Sequence, residues 1–213
     1  MNGTDVGWKP YVDSWIQNRE IEGERIQMTS LFAKYIPKVF DFMEKNCTTI
    51  VPIPEISRVQ HLTYILEGLI GNGEEFNQKA KQMGHDRGAL LLEMYFMYAS
   101  LWSCGGALLS DKRDDQRAAF EKWFRGEFAD PCKFPEDGLP TDYYVDETTL
   151  KFENWSDRTS NFVYDPELVY GNIYVSTLET ERLSYLTGWS RYILSPPLCS
   201  LSSLLYFPLP LSF

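Results

Sequence analysis

The chain of 213 residues has 44% hydrophobic and 23% charged side chains, which is enough to bury a core in one domain or slightly more. Its formal net charge of −10 argues against a nucleic-acid partner, because affinity for a phosphate backbone depends on Lys and Arg. The cysteines show no CxxC spacing, so neither a zinc site nor a disulfide framework is predicted. Residues 1–10 lack a basic region followed by an apolar stretch, and we therefore expect an intracellular protein.

Helical periodicity dominates the first two thirds of the chain. Tyr11 to Arg19 is predicted to form a short helix, and a longer helix follows it. Pro37 falls inside the longer one, so we expect a kink there or a restart with Pro37 in the first turn. The Pro52-Ile53-Pro54 turn opens a third helix, which closes at Gly71-Asn72-Gly73. The polar residues 74–88 are expected to form a loop with a fragment of helix.

Residues 90–109 carry one charge, Glu93, over a length that could span a bilayer. A helix that is apolar on all sides is also typical of the buried centre of a helical domain, and Gly105-Gly106 would break its last turn. Because a carboxylate in mid-span is costly in lipid, we interpret this segment as a core helix. Prolines interrupt the uncharged tail from Tyr192 to Phe213, and no membrane partner is expected.

An amphipathic helix from about Arg113 to Phe128 completes an all-helical unit of about five helices. After Pro131 the pattern changes to two β-prone runs, Tyr143 to Val145 and Leu150 to Phe152, joined by a polar turn. We therefore expect a mainly α fold, in which a helical bundle precedes a short α/β segment with a β-hairpin. The composition shift predicts a domain boundary near residue 135.

The residues best placed to touch a ligand are Ile173, Val175, Ser176 and Thr177. Asn172 to Val175 is a candidate strand, and Thr177 to Thr187 is a candidate helix with Thr177 as its N-cap. Phosphates commonly bind where a strand end meets a helix start. The alternative, a buried edge strand followed by a helix cap, is the more frequent meaning of this pattern.

No catalytic or metal-binding arrangement is recognisable in the sequence. It contains no GxxxxGK[ST] phosphate-binding loop and no GxSxG nucleophile motif. His61 and His85 belong to no HxxxH or HExxH pattern, so no metal ligand is predicted. Glu74-Glu75 and Asp114-Asp115 are adjacent carboxylates, which do not face each other on a helix, and we expect them to be solvated.

Short aromatic, proline and acidic motifs follow one another in a fixed order across roughly residues 3 to 187. They are Gly7-Trp8-Lys9-Pro10, Ser14-Trp15, Pro52-Ile53-Pro54-Glu55, Trp102 to Gly106, Phe134-Pro135, Asp142 to Asp146, Lys151-Phe152, Trp155, Asp165-Pro166-Glu167, Thr177, Glu179-Thr180 and Arg182. In this order they resemble the axonemal dynein heavy chains. Agreement over such a length is more specific than any single motif.

The resemblance implies four regions. Residues 1–12 look like the end of a preceding AAA+ large domain, residues 13–134 like the helical lid of the second AAA+ module, and residues 135–187 like an incomplete start of the third module. From about Gly188 the chain departs from the family's pattern. We expect residues 188–213 to be a disordered tail from a truncated or mis-spliced product, without the Walker A loop, the Walker B carboxylates or the arginine finger.

The resemblance also implies a motor function for the parent protein. In a complete heavy chain, a ring of AAA+ modules uses ATP and Mg to drive microtubule-based movement in cilia and flagella. This chain alone is expected to be non-catalytic, to hold no cofactor, and to supply a lid and a coupling surface. Its expected partners are the neighbouring AAA+ modules and, through the parent, other dynein subunits and microtubules, and its expected location is the axoneme.

Two other hypotheses remain open. An independent helical interaction module would bind a protein through an aromatic surface formed mainly by Trp123, Phe124, Tyr143, Tyr144 and Trp155. A membrane-associated protein would be anchored by residues 90–109 or by the tail.

Overall fold

The computed structural model describes residues 7–49, 51–70, 73–109, 115–159, 175 and 177–193. The helices of the first part are α1 (Lys9–Gln17), α2 (Glu22–Asn46), α3 (Glu55–Ile70), α4 (Gly73–Met83), α5 (His85–Gly105) and α6 (Gln116–Glu127). A 3-10 turn (Pro140–Asp142), strands β1 (Tyr143–Asp146) and β2 (Lys151–Asn154), a second 3-10 turn (Trp155–Asp157) and helix α7 (Leu178–Ile193) follow. The predicted mainly α fold with a β-hairpin is confirmed.

The first two helices confirm the predicted apolar periodicity but not the restart at Pro37. α1 buries Trp15 and Ile16, and α2 continues through Pro37 as one helix. The turns on either side of the proline bury Ile36 and Val39 completely. Tertiary packing of these turns therefore outweighs the one backbone hydrogen bond that proline removes.

The prediction of a loop with a fragment of helix over residues 74–88 underestimated the helix, because α4 occupies most of this range. Its polar composition concealed three apolar residues at helical spacing, Phe76, Ala80 and Met83. Phe76 is buried, and the other two are partly buried against the core. This narrow stripe was too short to be recognised among the polar residues.

The glycines after α4 have different roles. Gly84 has a φ of +95° and allows the sharp turn into α5. Gly88, predicted to lie in a turn, is instead a buried residue of α5 that touches α4. A Cβ at Gly88 would lie 2.6 Å from the Cβ of Ala80, so only glycine permits this close approach of the two helices.

Helix α5 forms the centre of the bundle, as predicted for a core helix. The Phe96 ring lies 4.9 Å from that of Phe32 and 5.6 Å from that of Tyr35, measured between centroids. Glu93 accepts hydrogen bonds of 2.7 Å from the Tyr35 hydroxyl and from Lys34 Nζ, so its charge is paired. Within the described residues, no helix is long and apolar enough to cross a membrane.

The hairpin has the predicted strands and turn. β1 pairs antiparallel with β2, and Tyr143 lies opposite Asn154 while Asp146 lies opposite Lys151. The Asp146 carboxylate accepts a 3.0 Å hydrogen bond from the backbone N–H of Thr148, and this bond lowers the pKa of Asp146. The turn is therefore stabilised by its own side chain, as in an Asx turn.

Helix α7 begins where the sequence predicted, with Thr177 as its cap. The backbone N–H of Thr180 donates to Thr177 Oγ1 at 3.3 Å. The helix passes its predicted end at Thr187 and continues to Ile193. The candidate strand, apart from Val175, and residues 194–213 lie outside the described residues.

Candidate functional site between the bundle and the hairpin

Charged and aromatic side chains gather where the bundle, α1 to α6, meets the chain that follows residue 135. We call this contact the seam: it joins α3, α4, α5 and α6 to the first 3-10 turn, the hairpin and α7. Among the described residues there is no cluster of three or more potential metal ligands. Cys47, Cys104 and Cys132 are free thiols. The seam is therefore the strongest candidate for a functional surface in the described structure.

Glu121 of α6 is completely buried and binds the first 3-10 turn. One carboxylate oxygen accepts the backbone N–H of Thr141 at 3.0 Å, and the Thr141 hydroxyl donates to the carboxylate at 2.8 Å. Arg117, one helical turn earlier, donates through Nε at 3.1 Å. A buried carboxylate is tolerated when several donors compensate for its lost hydration. Glu121 thus fixes the start of the hairpin to the bundle.

Arg182 fixes α7 to the same turn. Its guanidinium lies 2.7 Å from a carboxylate oxygen of Asp142 and 3.2 Å from one of Glu179. The other oxygen of Asp142 accepts the backbone N–H of Leu139 at 2.8 Å. Arg182 is 9% exposed, so this ion pair is more strongly coupled than one in open solvent.

The hairpin turn is bound to the bundle by Glu147. The Tyr95 hydroxyl of α5 donates to one carboxylate oxygen, and Lys79 of α4 forms an ion pair with the other. Burial raises the pKa of Tyr95, which keeps its hydroxyl protonated as a donor. Two helices of the bundle therefore converge on one side chain of the turn.

One aromatic stack and one set of edge-to-face ring contacts fill the space between these polar contacts. Phe134 and Phe152 stack with ring centroids 3.9 Å apart. On the α7 side, Tyr185 lies 6.0 Å from Tyr98 of α5 and 5.1 Å from Trp155, between ring centroids. The apolar core consequently continues across the seam, and one hydrophobic cluster includes residues of both sides.

A cavity of about 390 Å³ opens beside the Phe134 and Phe152 stack. It is lined by the start of α5, residues 131–136 and residues 150–152. Its wall includes Cys132, and burial raises the pKa of this thiol to about 12. Cys132 is therefore protonated in the folded chain at neutral pH.

The ligand role predicted for Ile173, Val175, Ser176 and Thr177 stays a prediction. Ile173 and Ser176 lie outside the described residues. Val175 is 47% exposed, and Thr177 is exposed and caps α7. Sequence reasoning missed Glu121, whose charged side chain gave no sign of burial. Arg182 was noticed only through the family resemblance.

The predicted aromatic interaction surface is largely internal. Phe124, Tyr143 and Trp155 are buried, with relative exposures of 0%, 6% and 1%. Trp123 and Tyr144 are partly buried against the same core. Their rings therefore hold the bundle and the seam together, and an exposed aromatic patch built on all five is not formed.

A helical bundle followed by a hairpin is the architecture that the resemblance led us to expect. Residues 28–157 match the family model described as the dynein heavy chain AAA lid domain. The chain belongs to this family, as the resemblance predicted. The family is a lid domain, distinct from the part of a dynein that hydrolyses ATP.

The relatives confirm the axonemal class. Over 185 residues, 87% of this chain, it is 40% identical to dynein axonemal heavy chain 9 of Homo sapiens and 39% identical to the ciliary dynein beta chain of Heliocidaris crassispina. It is 36% identical to the flagellar outer arm dynein beta chain of Chlamydomonas reinhardtii over the same length. The chain spans about 4% of the length of these relatives. Their names are ciliary, flagellar and axonemal, which supports the expected axonemal location.

Proposed function

We propose that this chain serves, within a complete axonemal dynein heavy chain, as the lid of one AAA+ module rigidly joined to the start of the next. In this proposal residues 1–12 end the preceding large domain, residues 13–134 form the lid and residues 135–187 begin the next large domain. The observation that carries it is the seam. Buried Glu121, the Arg182 ion pair and the Tyr185 ring contacts tie the bundle to the chain that follows it.

A rigid seam has a mechanical consequence. Rigid-body rotation of one domain reaches another only if the contact between them does not yield. Polar pairs that are satisfied in one geometry resist sliding, because a displaced buried carboxylate would lose its donors. The lid would therefore carry the next large domain with it when nucleotide binding or release moves the lid.

We assign the chemistry to the parent ring and none to this chain. ATP and Mg would be held by complete modules, and microtubules and other dynein subunits would be contacted through the parent. Residues 173–177 would lie at the edge of the next module's nucleotide pocket, where exposed Val175 and the N-cap Thr177 leave the start of α7 open. Ile56 and Tyr64 of α3 and Leu178 of α7, 37%, 41% and 40% exposed, would be covered by a neighbouring module.

A chimeric motor tests the coupling. The segment of human dynein axonemal heavy chain 9 that matches this chain is replaced by the 185 matching residues, and ATP-driven microtubule gliding and ATP turnover are measured. We expect gliding to be retained, and Glu121→Ala in the chimera to slow gliding more than it lowers ATP turnover. The control is Glu44→Ala, an exposed carboxylate of α2. Unchanged gliding in the Glu121→Ala chimera would contradict a coupling role.

The isolated 213-residue chain tests the second part of the proposal. We expect no ATP hydrolysis above that of a buffer blank and no saturable binding of a fluorescent ATP analogue. Hydrolysis that follows the purified chain through gel filtration would contradict a non-catalytic role. Stable capture of a single protein from ciliary extract, without other dynein subunits, would favour an independent interaction module.

A further inference from the structure

Three aromatic rings from three different elements lie within about 6 Å of the guanidinium of Arg158, an exposed residue. Tyr144 comes from β1, Trp155 from the second 3-10 turn and Tyr185 from α7. Arg158 Cζ lies 4.9 Å from the Tyr144 ring centroid, 5.8 Å from that of Trp155 and 5.5 Å from that of Tyr185. All three distances lie within the range of about 6 Å in which a ring face attracts a cation.

The guanidinium has no competing acidic partner in the described part of the chain. The nearby Glu153 accepts hydrogen bonds from Tyr144 Oη at 3.3 Å and Thr149 Oγ1 at 3.0 Å. Asp142 is paired with Arg182 at 2.7 Å. In a chain with 30 acidic and 20 basic residues, an arginine that meets rings in place of a carboxylate is unusual.

The backbone holds Arg158 beside these rings. The carbonyl oxygen of Trp155 accepts the backbone N–H of Arg158 at 3.1 Å and that of Thr159 at 3.2 Å. It also accepts the Thr159 hydroxyl at 3.0 Å. This tight turn fixes the origin of the arginine side chain, so less conformational entropy is lost when the guanidinium settles on the rings.

Ring contacts, and not a hydrogen bond of its indole N–H, hold Trp155 in place. Trp155 is 1% exposed, and its indole N–H finds no acceptor among the described residues. A buried indole normally donates a hydrogen bond, since an unpaired polar group costs free energy. The contacts of its ring with Tyr144, at 4.9 Å, and with Tyr185, at 5.1 Å, must therefore offset that cost.

We propose that Tyr144, Trp155 and Tyr185 form a cation-binding aromatic cage for a guanidinium group, that Arg158 is its intramolecular ligand, and that the filled cage latches α7 to the hairpin. An arginine suits such a cage better than a lysine, because its planar group stacks on ring faces and is weakly hydrated. The proposed lid function does not require this cage. The cage can therefore be tested in the isolated chain, independently of the result with the chimeric motor.

The test labels the 213-residue chain with 5-fluorotryptophan and follows the fluorine NMR signal of Trp155, assigned with Trp155→Phe. Arg158→Ala empties the cage, and we expect its Trp155 signal to move. Methylguanidinium is then titrated as the probe. We expect the Trp155 signal of Arg158→Ala to return toward the wild-type shift, and a smaller change in wild type, where Arg158 fills the cage. The matched control is Arg87→Ala, which removes an exposed arginine of α5.

Hydrogen exchange provides a second measurement. Arg158→Ala is expected to speed exchange of the α7 amides roughly five-fold, which corresponds to about 1 kcal/mol for a cation on aromatic faces. Arg158→Lys should give an intermediate rate, and Arg87→Ala should give the wild-type rate. Arg158→Gln is used for the same titration if Arg158→Ala does not fold by circular dichroism.

Two results would overturn the proposal. One is a Trp155 signal and α7 exchange in Arg158→Ala equal to those of Arg87→Ala. The other is a methylguanidinium response of Arg158→Ala that equals that of wild type, or that persists in Arg158→Ala combined with Tyr185→Leu, because binding would then not depend on the cage.

Discussion

In the bundle, α5 is surrounded by aromatic and aliphatic side chains, whereas the seam buries Glu121 and most of Arg182 among their hydrogen-bond partners. Apolar packing is strong but weakly directional, and a core tolerates small repacking if its volume is kept. Buried charges accept only the geometry that satisfies them. We therefore expect the bundle to supply most of the stability, and the seam to determine one relative position of the hairpin and α7.

Removing a ring from the bundle should have the largest effect on stability. Phe96→Ala deletes a completely buried ring that contacts Phe32 and Tyr35. We expect the free energy of unfolding to fall by about 4 kcal/mol, from lost burial and the cavity left behind. Urea denaturation measures it. Tyr64→Ala, an aromatic of α3 that is 41% exposed, is the control, and an equal loss there would mean that burial does not set the cost.

Breaking the buried polar contact of the seam should have the second largest effect on the free energy of unfolding. Glu121→Ala leaves the Thr141 backbone N–H and the Arg117 guanidinium without their acceptor. We expect a loss of about 3 kcal/mol by urea denaturation, typical of a buried pair that loses one partner. Glu121→Gln keeps an acceptor and should cost less. If both variants matched Glu44→Ala, the polar character of the seam would be irrelevant to its stability.

The ion pair of Arg182 and Asp142 should contribute less to the free energy of unfolding than Glu121 does. Arg182→Ala removes a pairing in which the Asp142 side chain is 31% exposed, so solvent screening limits the loss to about 1 kcal/mol. The effect should be confined to α7, visible as faster amide exchange there and unchanged exchange in α5. Equal acceleration in both helices would show that seam and bundle open together.

Thiol labelling compares how readily the bundle and the seam open, and here we expect the smallest difference. Cys104 lies in the bundle and Cys132 at the seam, and burial raises their pKa values to about 11 and about 12. In single-cysteine chains we expect Cys132 to react about ten-fold faster with a disulfide reagent at pH 8, because the seam opens more easily than the bundle. Equal rates would contradict separate opening of the two regions.

The same pKa values fix the direction of the pH dependence. The unfolded thiols ionise near pH 8.5, while Cys104 keeps its proton in the folded chain up to about pH 11. The unfolded state therefore binds fewer protons between these values, and stability should fall as the pH rises through this window. Cys104→Ala should reduce the slope of unfolding free energy against pH, measured from pH 8 to pH 11. An unchanged slope would mean that the thiol contributes nothing to it.

Predictions from the sequence were correct for the parts of the fold that depend on residues close together in the sequence. The apolar run of α5, the stop at Gly105 and the hairpin turn at Asp146 each depend on neighbouring residues. The extent of α4 was underestimated because its apolar stripe is short, and the restart at Pro37 was wrong because packing on both sides holds the helix. Such outcomes depend on tertiary contacts that periodicity does not contain.

The seam could not be predicted from local patterns for a related reason. Glu121 and Thr141 are twenty positions apart, and Asp142 and Arg182 are forty apart. Each residue alone resembles an ordinary surface polar group, and only the fold shows that its partner excludes water. The family resemblance included Asp142 and Arg182 but not their pairing.

The contacts of α7 show that the end of the family match and the end of the folded unit lie at different residues. The family match ends at residue 157, yet Trp155 is covered by Tyr185, and Asp142 is paired with Arg182. A chain cut at residue 157 would keep every residue that defines the family, but would expose an indole face and leave a carboxylate unpaired. A shorter stretch of chain is enough to match the family than is needed to fold stably. We expect the shortest stably folded fragment of this protein to extend through α7.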